Sequence, residues 1–129
     1  MTDINELKSW IAHAEDDYSA AKALMRLRKP LLSAACFHAQ QSAEKYLKAL
    51  LILRDVDFPK SHDLPTLNTM CSKAGIFTGL VTQDLVDLTE YAVQRRYPGN
   101  QPTREEAQEA IEIARSVRKF ARGYLGLKK

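Results

Sequence analysis

Four polar residues, His38, Gln41, Lys45 and Lys48, recur every three or four positions through FHAQQSAEKYLKALLILRD, residues 37–55. At helical spacing they share one face. Amide and ammonium groups so arranged could floor a cleft that meets phosphate or an acidic partner. The plainer reading is a solvated back with one weak ion pair, because Glu44 and Lys48 stand four apart in the favourable order. A second cluster lies in PKSHDL, where Lys60, His62 and Asp63 immediately precede a helix start. The free amides and partial positive charge of such a start bind anions when basic groups stand beside it, although Asp63 also serves simply as a cap. The third cluster is EYAVQRRYPGN, in which Tyr91, Arg95, Arg96 and Tyr97 set two guanidiniums and two rings at a helix end. Arginine there complements the helix dipole. Beside tyrosine and an irregular turn it also suits a ribonucleotide, through forked phosphate bonding and ring stacking.

Nearer the C-terminus, Glu105, Glu106, Glu109 and Glu112 precede Arg115, Arg118, Lys119 and Arg122. The macrodipole favours that polarity, so it reads as stabilising rather than as an RNA-binding strip. The sequence contains no glycine-rich phosphate loop, HExxH, Glu-x-x-His pair or Gly-x-Ser-x-Gly. His13, His38 and His62 fall on separate segments without carboxylates at ligand spacing, so neither metal nor cofactor is expected. Cys36 and Cys71 lack metal-type spacing and form no disulfide framework; Cys36, among alanines, reads as a small buried hydrophobe.

The elements that must position these clusters are helical. The chain's 129 residues suit one domain, 1–129, able to bury a core without a disulfide or metal staple. Hydrophobic residues at 45% and charged residues at 27% exclude a disordered chain, and the net charge of +3 is too mild to argue for nucleic acid alone. Asp3 and Glu6 open the first helix, whose seam is Ile4, Leu7, Ile11, Ala14, Tyr18, Ala21 and Met25. Pro30 ends it and suits the start of a second, from about Leu31 to Arg54. There Leu32, Cys36, Ala39, Ala43, Tyr46, Leu50 and Leu53 form a seam. Ala35, Leu47 and Leu51 widen it, marking a helix touched by several neighbours. A short helix, about Leu64 to Lys73, stops at Gly75. A fourth runs from Thr82 or Asp84 to about Arg95, and the fifth opens on a capping box of Thr103 and Glu106. Its seam is Ala107, Ala110, Ala114, Val117, Ala121 and Tyr124, broadened by Ile111 and Phe120. The expected fold is all-α: an antiparallel up-down bundle of four long helices plus one short helix. The opening MTDINELKSW is unlike a signal peptide and the longest apolar run, ALLIL, is far too short for a membrane span, so a cytoplasmic protein is expected.

Taken in order, three elements resemble the HEPN domain family: the helix from Ala34 through QQSAEKYLKALL, PKSHDLPTL from Pro59, and YAVQRRYPG from Tyr91. The opening AEDDYSAAKALM also fits, and the likeness spans essentially the whole chain. The resemblance implies a four- to five-helix bundle like the C-terminal domain of kanamycin nucleotidyltransferase, and homodimers as a common state. Small prokaryotic members often accompany a minimal nucleotidyltransferase in pairs that look like toxin–antitoxin modules. Many relatives are metal-independent ribonucleases with an arginine, four to six residues and a histidine near the end of a late helix. Others are thought to bind nucleotides without cleaving RNA. Here Arg95 and Arg96 are followed by YPGNQPTREE, with no later histidine.

The resulting expectation is a binding module rather than an enzyme. Its nucleotide- or RNA-phosphate-binding residues would be Gln41, Lys45, Lys48, His62, Asp63, Arg95, Arg96 and Tyr97. In the alternative, a ribonuclease toxin, His62 works with an arginine. In a third, the bundle is purely a protein-interaction scaffold whose polar stripe keeps a buried network satisfied.

Overall fold

The computed structural model describes residues 2–93 and 98–128. Five helices follow in order: α1 (Ile4–Arg26), α2 (Leu32–Leu53), α3 (Leu64–Lys73), α4 (Thr82–Val93) and α5 (Arg104–Tyr124). Local chemistry sets their ends. The Asp3 carboxylate accepts from the amides of Asn5 and Glu6. At α5 the Thr103 hydroxyl accepts from the Glu106 amide, while the Glu106 carboxylate accepts from that of Thr103, a complete capping box. Beyond α3, Gly75 turns at φ +86°, a left-handed conformation that glycine adopts without strain.

Cross-helix bonds give the topology. Thr2 meets Leu53, Glu15 meets Tyr46 and Leu24 meets Leu31, so α1 and α2 run antiparallel. Glu15 also meets Arg118 and Tyr18 meets Arg115, which makes α5 antiparallel to α1 and parallel to α2. Helix α2 lies at the centre, packed against each of the other four, whereas among the described residues α1 and α4 do not touch.

That position explains α2's composition. Ala35, Cys36, Ala39, Ala43, Tyr46, Leu47, Leu50 and Leu51 are all fully buried, more than one face of a helix can supply. The alanine seam of α5 and Ala14, Tyr18 and Ala21 of α1 close on them in one core. A satellite cluster of Leu7, Ala49 and Ile52, with Trp10 and Phe58 against it, seals the end where the α2–α3 loop crosses. Two details differ from the sequence expectation: the seam ends Ile4 and Tyr124 are exposed, and Asp63, at the N-cap of α3, makes no side-chain bond to the helix amides. Among the described residues, no helix is long and apolar enough to cross a membrane.

Candidate functional site

Four polar residues of α2, Gln40, Ser42, Glu44 and Lys48, are buried. Glu44 and Lys48 are only 3% and 5% exposed, and Lys48 Nζ lies 2.9 Å from Glu44 Oε2. A charge out of water persists only when paired and hydrogen-bonded, and the rest of the cluster completes the pairing. The other Glu44 oxygen lies 2.7 Å from His62 Nδ1 and accepts from the Gln40 amide at 3.3 Å. The same Gln40 amide donates to the His62 carbonyl at 3.0 Å, so Gln40 fixes the backbone of the PKSHD loop while Glu44 fixes its imidazole. Gln41 donates to the Gln40 side-chain oxygen at 2.9 Å. Above Lys48, the rings of Trp10 and Phe58 stand 5.6 and 5.4 Å from the ammonium and shut out water. The His62 side chain nevertheless remains 70% exposed. The network therefore has a closed floor and one solvent-facing imidazole. Because a carboxylate only accepts, Nδ1 carries the hydrogen, which in the neutral ring leaves Nε2 as an acceptor.

A second network crosses the bundle on the α1 side. Arg118 grips Glu15 with both arms of its guanidinium, at 2.8 Å each, and the Tyr46 hydroxyl also donates to Glu15. Chiefly because of the Arg118 bonds, the Glu15 carboxyl is held below the usual carboxylate range. Burial first, and then Glu15 itself, push Tyr46 up to about 12. Asp17 joins His38 Nδ1 at 2.9 Å to Lys45 Nζ at 2.5 Å. Arg115 donates to the Tyr18 hydroxyl at 2.9 Å and pairs with Glu112.

The sequence-predicted residues thus divide. Lys48 and His62 come together through Glu44, and Gln41 joins through Gln40. Lys45 belongs to a separate pair with Asp17 on the α1 side. The Asp63 carboxylate accepts from the Thr66 hydroxyl at 2.7 Å. Asp63 also lines a hollow of about 230 Å³ with Pro65, Val86, Thr89, Glu90 and Val93, which sets the loop beside the last turns of α4. Arg95, Arg96 and Tyr97 lie outside the described residues. The C-terminal arginines do more than complement a dipole: Arg118 and Arg122 reach across to Glu15 of α1.

Spacing did not single out Glu15, Asp17 or Gln40, and it took Glu44 only as a surface partner. One signal was present. A helix apolar on more than one face leaves its polar residues little solvent, so Gln40 and Glu44 had to find internal partners. Among the described residues no three His, Cys, Asp or Glu side chains converge as a metal site. Both cysteines are free and buried, their thiols pushed up to about 12 for Cys36 and about 11 for Cys71, chiefly by burial.

The family model described as the HEPN domain matches residues 7–124. No curated protein matches the chain. Among solved structures, the chain is similar to TT1696 from Thermus thermophilus, with 26% identity and a TM-score of 0.72 over 93% of this chain and 98% of that one. It is also similar to ST0689, an archaeal HEPN homologue, with 25% identity and a TM-score of 0.68 over 92% and 97% of the two chains. With a family model covering nearly its whole length and a bundle that superposes on these structures, the chain belongs to the HEPN domain family.

Proposed function

We propose that this protein is a HEPN-type binding module that takes the phosphate of a nucleotide or RNA without cleaving it. It would act as a homodimer alongside a minimal nucleotidyltransferase in a toxin–antitoxin-like system. The observation that supports this most is how the PKSHD loop is held. Gln40 and Glu44 lock its backbone and imidazole from below, and Asp63 rests beside the α4 turns whose chain continues into Arg95, Arg96 and Tyr97. In this reading His62 and the arginines meet phosphate and Tyr97 meets a base or ribose. Gln41 and Lys48 act from beneath by holding the loop, while Lys45 and Asp63 brace the neighbouring surface. Rigid presentation of this kind favours binding because little ordering entropy is lost when the ligand arrives.

Anisotropy of a labelled single-stranded RNA, with ATP and GTP in parallel, tests the assignment. Arg96→Ala and His62→Ala should each weaken binding at least several-fold, and unchanged affinity in both would remove it. Self-association finds support in the exposed Phe77 and Val81, next to a hollow lined by Leu80, Phe120 and Tyr124.

One observation favours the ribonuclease alternative. A carboxylate-held imidazole on a largely exposed side chain suits a general base, and Glu44 with His62 has that arrangement. RNA cleavage that His62→Ala abolishes would promote that reading over the binding module. Cleavage untouched by the substitution would dismiss it.

A further inference from the structure

Five cations of the bundle are paired with carboxylates: Lys45 with Asp17, Lys48 with Glu44, Arg115 with Glu112, and Arg118 and Arg122 with Glu15. Three of the cations outside those pairs line one groove. Between the C-terminal turns of α1 and the N-terminal half of α5 runs a groove of about 420 Å³. Its walls carry Lys22 and Arg26 from α1, facing Arg104, Gln108 and Arg115 from α5. Lys22, Arg26 and Arg104 have no carboxylate partner among the described residues; Lys22 Nζ lies 4.8 Å over the Tyr18 ring. The sole acidic lining residue, Glu112, pairs with Arg115. Half-buried Met25 and buried Ile111 complete the lining, so the groove is a basic trough with an apolar floor.

The geometry points to a binding track for the backbone of a single-stranded polynucleotide along this groove. The inference rests on the phosphate-binding reading above and adds a second contact surface to it. Length decides between strand and mononucleotide. Arg104 and Arg115, the latter shared with Glu112 and Tyr18, are eleven positions apart on one helix, about 16 Å along its axis at about 1.5 Å per residue. The phosphates of a single nucleotide are too closely clustered to touch cations at both ends, whereas successive phosphates of a strand can. Cations on both walls suit an evenly charged backbone. The lining residues offer no exposed aromatic ring for stacking, so contacts here would be to phosphate and independent of base identity.

The test uses the whole protein and a fluorescein-labelled oligouridylate, with affinity followed against salt from about 50 mM upward. Arg26→Ala combined with Arg104→Ala alters two exposed residues, so the fold should persist by circular dichroism. Losing two phosphate contacts at roughly 0.7 each should make the slope of log K against log salt shallower by about 1.4, and weaken binding more than about tenfold at low salt. Unchanged slope and affinity in this variant, with loss in Arg96→Ala, would overturn the groove while leaving the proposed function standing. Wild-type protein that binds ATP but no oligouridylate would overturn it too, as would an oligoglutamate of matched charge competing as well as RNA.

Discussion

Lys48→Met gives the sharpest test of the internal network, because it keeps most of the side-chain volume and removes one charge. Glu44, 3% exposed, would lose its closest counter-charge and retain only His62 and the Gln40 amide. Removing one partner of a buried pair typically costs about 3–5 kcal/mol, since the remaining charge stays uncompensated. For 129 residues the unfolding entropy is about 0.27 kcal/mol per kelvin, so Tm should fall by roughly 11–18 °C. Thermal and urea unfolding followed by circular dichroism would measure this. Trp10, the only tryptophan, sits 5.6 Å from the ammonium and should report the change by a shifted emission. The double variant Glu44→Met with Lys48→Met should recover most of the loss, since an apolar pair of similar volume costs no buried charge. A single-variant cost below about 1 kcal/mol, the value of an exposed pair, would refute the reasoning. A double variant no more stable than the single one would refute it as well.

Further outcomes follow from the other networks. Because Arg118 holds the Glu15 carboxyl below its ordinary value of 4.5, Glu15 contributes stability above that pH that is lost as pH falls through the folded-state value. Glu15→Gln should therefore lower stability near neutrality and flatten the acid limb of the stability–pH curve; an unchanged limb would contradict the Arg118 assignment. Cys36 and Cys71 should resist a thiol reagent at pH 8 in the native protein and both react in urea, their thiols being buried and pushed up to about 12 and 11. Thr103→Ala should cost about 1 kcal/mol by denaturant titration, from the lost capping box. If the proposed self-association uses this face, Phe77→Ser with Val81→Ser should lower the mass seen by light scattering from dimer to monomer, and equal masses for variant and wild type would contradict it.

The helices were legible because their signals are local. The three-and-four steps of Ala107 to Ala121 and the Thr103–Glu106 pair lie within one segment, and both behave in the structure as they read in sequence. The excess of apolar residues in α2 likewise announced a central helix. The site was less legible because its partners are distant in sequence. Lys45 looks free until Asp17 arrives from 28 positions away, and Arg118 looks like a dipole complement until Glu15 arrives from 103. Helical spacing placed Gln41, Lys45 and Lys48 on one face. It could not say that the face is covered by the α2–α3 loop at one end and by α1 at the other. Lys22, Arg26 and Arg104 share no helical spacing across their two segments and become a group only where α1 and α5 pack.

The most direct test of the binding-module reading is one set of samples in which purified protein meets labelled single-stranded RNA, ATP and GTP with added chelator. Binding and strand integrity would be followed together at low and moderate salt. Saturable binding that weakens with salt, over intact RNA, is the predicted result. RNA cut in the presence of chelator, or no binding of any of the three ligands, would contradict it.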